Sequence, residues 1–189
     1  MRRDGRKVSG GEEVLVFLGG TMNGAVSGRL TGDIPGLDRA EQRTLEQFLD
    51  ASQLLYAVLS RELVEAHQLP LGDLRLLIML GRSPTGALRM GELADSLLVL
   101  PSRVTRQVRR LETHGLVARI PSAEDGRAVL AGITDRGREA LAGAMVTYGQ
   151  SIRGYFLREL SRPQRVALGE SCRRIANGLR APRPAGQIP

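Results

Sequence analysis

Apolar residues recur at helical spacing in three long stretches of the chain. Leu45, Phe48, Leu49, Ser52, Leu55, Tyr56, Leu59 and Leu63 follow a 3.6-residue period, predicting a long amphipathic helix that starts at Asp38 as cap and ends at Gln68–Leu69–Pro70. A second helix is expected over 71–80, stopped by Gly81 and by Ser83–Pro84. Further on, Thr134 is placed to cap a helix with Leu141, Met145, Tyr148, Ile152 and Phe156 on one face. Gly143, Gly149 and Gly154 fall inside it, each costing up to about 1 kcal/mol relative to Ala, and mark close helix contacts or a bend. Ser161 to Gln164 has the form of a capping box, with Pro163 in the first turn, and opens a last helix carrying Leu168, Cys172, Ile175, Ala176 and Leu179.

Between these stretches the elements become short. Met90, Leu93, Ala94 and Leu97 have the spacing of a brief amphipathic helix, and a tight turn then leads to Pro101, a residue suited to a helix's first turn. Val104, Val108 and Leu111 recur at i, i+4 and i+7 on the helix that follows, which Gly115 closes. Two helices joined this tightly form a helix-turn-helix. Residues 116–120 and 128–133 are runs of β-branched and aliphatic residues around the polar loop 122–127, which predicts a hairpin wing. The fold class expected is therefore mainly α with a small β-wing: a winged helix-turn-helix over about 71–133, flanked by terminal helices over about 38–67 and 135–180.

Arg103, Arg106, Arg109 and Arg110 lie within eight residues of the second of these short helices, opposed only by Glu112. Such a surface suits phosphates and base edges, though a solvated basic face would read the same way in isolation. The order of elements around the helix favours contact with DNA.

At this point the segment 90–141, MGELADSLLVLPSRVTRQVRRLETHGLVARIPSAEDGRAVLAGITDRGREAL, resembles the MarR family of bacterial winged-helix transcription regulators, with the outline extending over residues 38–179. The resemblance implies a homodimeric repressor or activator that binds double-stranded DNA and responds to a small-molecule effector or an oxidant. It implies that Ser102, Arg103, Thr105 and Arg106 face the major groove and that Arg109 or Arg110 reaches phosphate or wing. Asp125–Gly126–Arg127 matches the family's Asp-x-Arg wing motif; there Arg127 would enter the minor groove, where negative potential attracts it, and Asp125 would orient a basic neighbour. Leu55, Tyr56, Leu59 and Met79 are the residues that it suggests for an effector pocket, with core packing as the plainer reading of each. The chain departs from the pattern twice. Leu100 stands where the family often has a capping Ser, and Ser122–Ala123 replaces the usual Asp-Pro at the wing.

Composition agrees without discriminating further. The 189 residues carry a formal net charge of +7, as expected for a polyanion-binding protein. Lys7 is the only lysine, so arginine supplies nearly all the positive charge; its planar fork fits phosphate and guanine, and a GC-rich genome would produce the same bias. No apolar run approaches the roughly eighteen residues of a membrane span, and Val14–Leu18 is too short for a secretory core, so a cytoplasmic location is expected.

Residues 1–36 hold nine glycines without periodicity and are expected to be disordered, apart from a domain beginning at 37. Arg2, Arg3, Arg6 and Lys7 read as a solvated tail, or as translation from upstream of a true start at Met22, rather than as a DNA-touching arm. Cys172 lies on the apolar stripe of the last helix and is expected to pack rather than sense oxidants. His67 and His114 form no metal-ligand cluster, and His114 beside Gly115 suits a helix C-terminus. Neither a nucleophile elbow nor a phosphate-binding glycine loop is present, so no enzymatic activity and no cofactor are expected. The terminal helices expose more apolar surface than a small winged helix can cover, which predicts pairing with a second copy. Two readings remain: a dimeric operator-specific regulator, and a winged-helix dimerisation or protein-interaction module without specific DNA binding.

Overall fold

A leucine-dense segment, Leu71–Arg82, supplies the centre of the core in a computed structural model that describes residues 33–121 and 129–180. Leu74, Leu76, Leu77 and Leu80 are fully enclosed, an arrangement that a helix packed on several sides requires. The elements in chain order are α1 (Arg39–His67), α2 (Leu71–Arg82), β1 (Ala87–Arg89), α3 (Met90–Leu97), α4 (Pro101–Thr113), β2 (Val117–Pro121), β3 (Val129–Ile133), α5 (Asp135–Tyr155), a short 3-10 turn (Leu157–Glu159) and α6 (Arg162–Arg180). By contacts the chain divides into Met1–Ala51 and Ser52–Pro189.

In the first unit, Asp38 starts α1 by a reciprocal cap. Its Oδ1 accepts from the N–H groups of Ala40 and Glu41 at 2.7 and 2.9 Å, while Glu41 Oε2 accepts from the Asp38 N–H at 2.9 Å. Leu45, Phe48 and Leu49 remain exposed.

In the second unit, the part of the α1 stripe that enters the core is Leu59 and Leu63, with Leu55 packed against them. Gln68 adopts a left-handed conformation between α1 and α2, and the Pro70 carbonyl accepts from the Asp73 and Leu74 N–H groups. Helix α2 runs through Gly81 instead of stopping there. A Cβ at Gly81 would meet Leu141 Cδ2 at 2.9 Å, so the missing side chain admits α5 rather than ending a helix.

The hairpin is paired antiparallel from Val117↔Ile133 to Pro121↔Val129. A third strand, β1, completes a β1-β3-β2 sheet, and its three residues are too few to show a period in the sequence. Pro121 is tolerated because β2 is an edge strand. Asp125 and Arg127 lie outside the described residues, as do residues 1–32.

Thr134 caps α5 as expected, accepting from the Gly137 N–H at 2.9 Å. The core-facing stripe of α5 is shifted from the expected one. Leu141, Ala144, Tyr148 and Ile152 face inward, Met145 is exposed, and Phe156 lies beyond the helix end. His67 reaches Thr147 Oγ1 at 2.8 Å, and its ring lies 3.6 Å from the position of a Cβ on Gly143; no such neighbour exists at Gly149 or Gly154. Gln164 reaches back to the Ser161 N–H at 2.8 Å to start α6. That helix buries none of its residues in the single chain, and Cys172 on it is exposed, so the expected packing of this thiol does not occur within one chain.

Candidate nucleic-acid interface

Helix α4 is amphipathic in the strongest sense the chain offers. Val104, Gln107, Val108 and Leu111 are buried against the core, which turns Ser102, Thr105, Arg106 and Arg109 outward, with Arg103 half-buried at the edge. No carboxylate occupies the first turn, and Arg106 and Arg109 make no ion pair among the described residues. The Thr105 hydroxyl donates to the Pro101 carbonyl at 3.0 Å, leaving its oxygen lone pairs toward solvent. These residues form one surface of hydroxyl and guanidinium groups, chemically matched to phosphate oxygens and guanine edges.

Arg110 departs from its expected place. Its guanidinium grips the buried carboxylate of Asp73 on α2, with Nε 2.7 Å from Oδ2 and a second bond from Nη2 to Oδ1. The hydrogen bond to Asp73 raises the Arg110 pKa further above its already high value, burial opposes this, and the Asp73 charge adds to it. The side chain ties the helix to the core, a role that charge runs in sequence do not reveal. Gln107 is drawn toward the same carboxylate, with Nε2 at 3.5 Å, while its buried Oε1 has no partner among the described residues.

The C-terminal end of α4 is held by several groups at once. His114 Nδ1 lies 2.8 Å from the Arg110 carbonyl. Gly115 takes φ of 69°, and the Gly115 and Leu116 N–H groups return to the Glu112 and Leu111 carbonyls in a Schellman closure. Thr134 Oγ1 donates to the Gly115 carbonyl at 2.7 Å, and Arg119 on the wing pairs with Glu112 at 3.2 Å. The wing root and the helix are thus fixed together.

The residues expected to line an effector pocket have separate fates. Leu59 is sealed in the core, Leu55 and Met79 pack against it half-buried, and Tyr56 is exposed. An open cleft elsewhere is lined by His67, Asp73, Arg110, His114, Arg136 and Glu139, and by none of those four. Among the described residues there is no cluster of His, Cys, Asp or Glu able to hold a metal and no helix long and apolar enough to cross a membrane.

Comparison with known proteins places this geometry. A family model described as "MarR family" matches residues 67–128. The chain is similar to Sco3205 of Streptomyces coelicolor, a MarR family transcriptional regulator whose structure was determined in complex with DNA. Identity there is 32%, coverage 81% of this chain and 96% of that one, and the TM-score 0.73. AbsC, a MarR family transcriptional regulator from the same organism, is 27% identical, with 76% and 97% covered and a TM-score of 0.70. A Bacillus subtilis (strain 168) protein described as an uncharacterized HTH-type transcriptional regulator, YhbI, is 29% identical over 114 residues, which are 60% of this chain and 74% of that protein.

Proposed function

The chain belongs to the MarR family of transcriptional regulators, and from that premise we propose that it is a cytoplasmic homodimeric repressor that binds a pseudo-palindromic operator. The observation that carries the proposal is the exposed face of α4, where Ser102, Thr105, Arg106 and Arg109 are presented, with Arg103 half-buried at its edge, from a helix whose other side is locked into the core. Ser102, Arg103, Thr105 and Arg106 read base edges in the major groove, and Arg109 meets phosphate. In the same reading Arg127 of the Asp-x-Arg motif enters the minor groove and Asp125 orients a basic neighbour. Arg110 contributes by holding α4 on α2 through Asp73.

Pairing with a second copy is supported by the apolar residues that the single chain leaves open. In the second unit these include Met145, Val146 and Tyr155 on α5 and Val166, Ile175 and Leu179 on α6; in the first they include Leu45, Phe48 and Leu49. A two-fold dimer sets its recognition helices about 34 Å apart, one turn of the duplex. Release by a small-molecule effector belongs to the same reading. With Leu59 closed in the core, Leu55, Tyr56 and Met79 are the residues such a molecule would reach.

Binding of the full chain to its own upstream promoter, competed with random DNA, tests the proposal. Arg106→Ala is expected to weaken operator binding about 10- to 100-fold while light scattering still reports a dimer. Affinity should fall steeply with salt, in proportion to the phosphates neutralised. A dimer that binds operator and random DNA alike would identify an interaction module and overturn the proposal; a monomer that binds its operator tightly would overturn the dimer.

A further inference from the structure

Four aliphatic residues in a row, Leu97 to Leu100, connect α3 to the recognition helix, and the core takes only two of them. Leu97 is buried and Val99 packs against the core, whereas Leu98 is 81% and Leu100 54% exposed. The exposure follows from the backbone. Leu98 takes the left-handed conformation that closes α3, its N–H bonding the Asp95 carbonyl and the Val99 N–H bonding that of Ala94. Leu100 is extended, at φ −64° and ψ 143°, so it turns away from the side its neighbour Val99 occupies.

Leu100 is also the N-cap residue of α4, with no side-chain cap, and Pro101 follows it in the first turn. The helix start relies on backbone alone, the Leu100 carbonyl accepting from the Arg103 and Val104 N–H groups at 2.9 and 3.3 Å. A serine or aspartate here would satisfy a first-turn N–H and stabilise the helix by about 1 kcal/mol. An exposed leucine forgoes that stabilisation and is only about half covered within the chain.

Its position suggests what it touches. In a helix-turn-helix the N-terminal residues of the second helix lie nearest the base edges. Ser102, Arg103 and Arg106 follow within six residues, so the same end of the helix carries the charge that brings DNA to it. Every base edge in the major groove offers hydrogen-bonding groups that a leucine cannot answer, and thymine alone adds a C5-methyl group. Resting on the operator-binding reading above, we propose that Leu100 is a specificity-determining residue that packs on a thymine methyl in each half-site.

The test starts from DNA selected out of a random-sequence pool by the full-length chain. Each thymine is then replaced singly by deoxyuridine, which pairs identically and lacks only the methyl, and affinity is read by fluorescence anisotropy. At one thymine per half-site the replacement is expected to weaken wild-type binding about fourfold, the effect of leaving one methyl group unburied. Leu100→Ala should bind thymine and uracil DNA equally, and so should Leu100→Ser, whose melting temperature is expected not to fall. Indifference of the wild type to uracil at every thymine overturns the inference alone, including the case in which the leucines dock a protein. Survival of the thymine preference in Leu100→Ala does the same. A chain that enriches no sequence from the pool overturns the operator reading and this inference with it.

Discussion

The two ends of α4 are built on opposite terms. At its C-terminal end Gly115 takes the left-handed turn without steric cost, and His114, Thr134, the Arg119–Glu112 pair and the Arg110–Asp73 clamp all converge. At its N-terminal end a leucine occupies the left-handed turn before the helix, another leucine sits at an unsatisfied cap, and both are exposed. Helices this short are marginal alone and take most of their stability from packing, here from Val104, Gln107, Val108 and Leu111 along the buried face, to which the C-terminal end adds its side-chain anchors. On the proposed operator reading, the other end is the one that meets DNA. One 13-residue helix thus holds its side-chain anchors at its C-terminal end and leaves exposed leucines at its start.

That contrast can be broken first at the anchored end. A Cβ on Gly137 would lie 2.1 Å from the Leu116 carbonyl oxygen and 2.9 Å from Ile133 Cγ1, where backbone cannot yield cheaply. Gly137→Ala is expected to cost about 3 kcal/mol in urea unfolding; a loss below about 1 kcal/mol would show this junction to be pliable. Next comes the clamp. Asp73→Ala leaves the Arg110 guanidinium without its carboxylate, and because that side chain is 44% exposed, solvent should limit the cost to about 2 kcal/mol. DNA affinity should fall as well, since α4 loses its tie to α2, and Arg110→Met should cost more stability than Asp73→Ala, because it strands the buried Asp73 carboxylate instead of a half-exposed guanidinium.

The smaller effects test the two left-handed turns against each other. Gly115→Ala, with no atom closer than 3.9 Å to the new Cβ, isolates the cost of φ at 69° and should destabilise by about 1 kcal/mol. Leu98→Gly should do the reverse and stabilise by about 0.5 kcal/mol, the relieved turn outweighing the added freedom of the unfolded chain. Paired thermal melts of the two variants read both signs. Equal signs would remove the distinction between the two ends.

Elements governed by neighbours in the chain were legible in the sequence. Caps at Asp38 and Thr134, the Pro101 start and Gly115 close of α4, and the aliphatic wing strands depend on residues close together in the chain. The apolar period also located the side of α4 that faces inward. Because that period fixes a face and not a partner, only the tertiary structure decided which polar groups share the interior. Gln107 went in beside the valines, Arg110 turned to a carboxylate 37 residues away, Gly81 became a crossing point instead of a stop, and β1 formed only because β3 was there to pair with it. Local geometry repeats along the chain and can be counted; the choice between solvent, core and a distant charge depends on what the rest of the fold brings alongside.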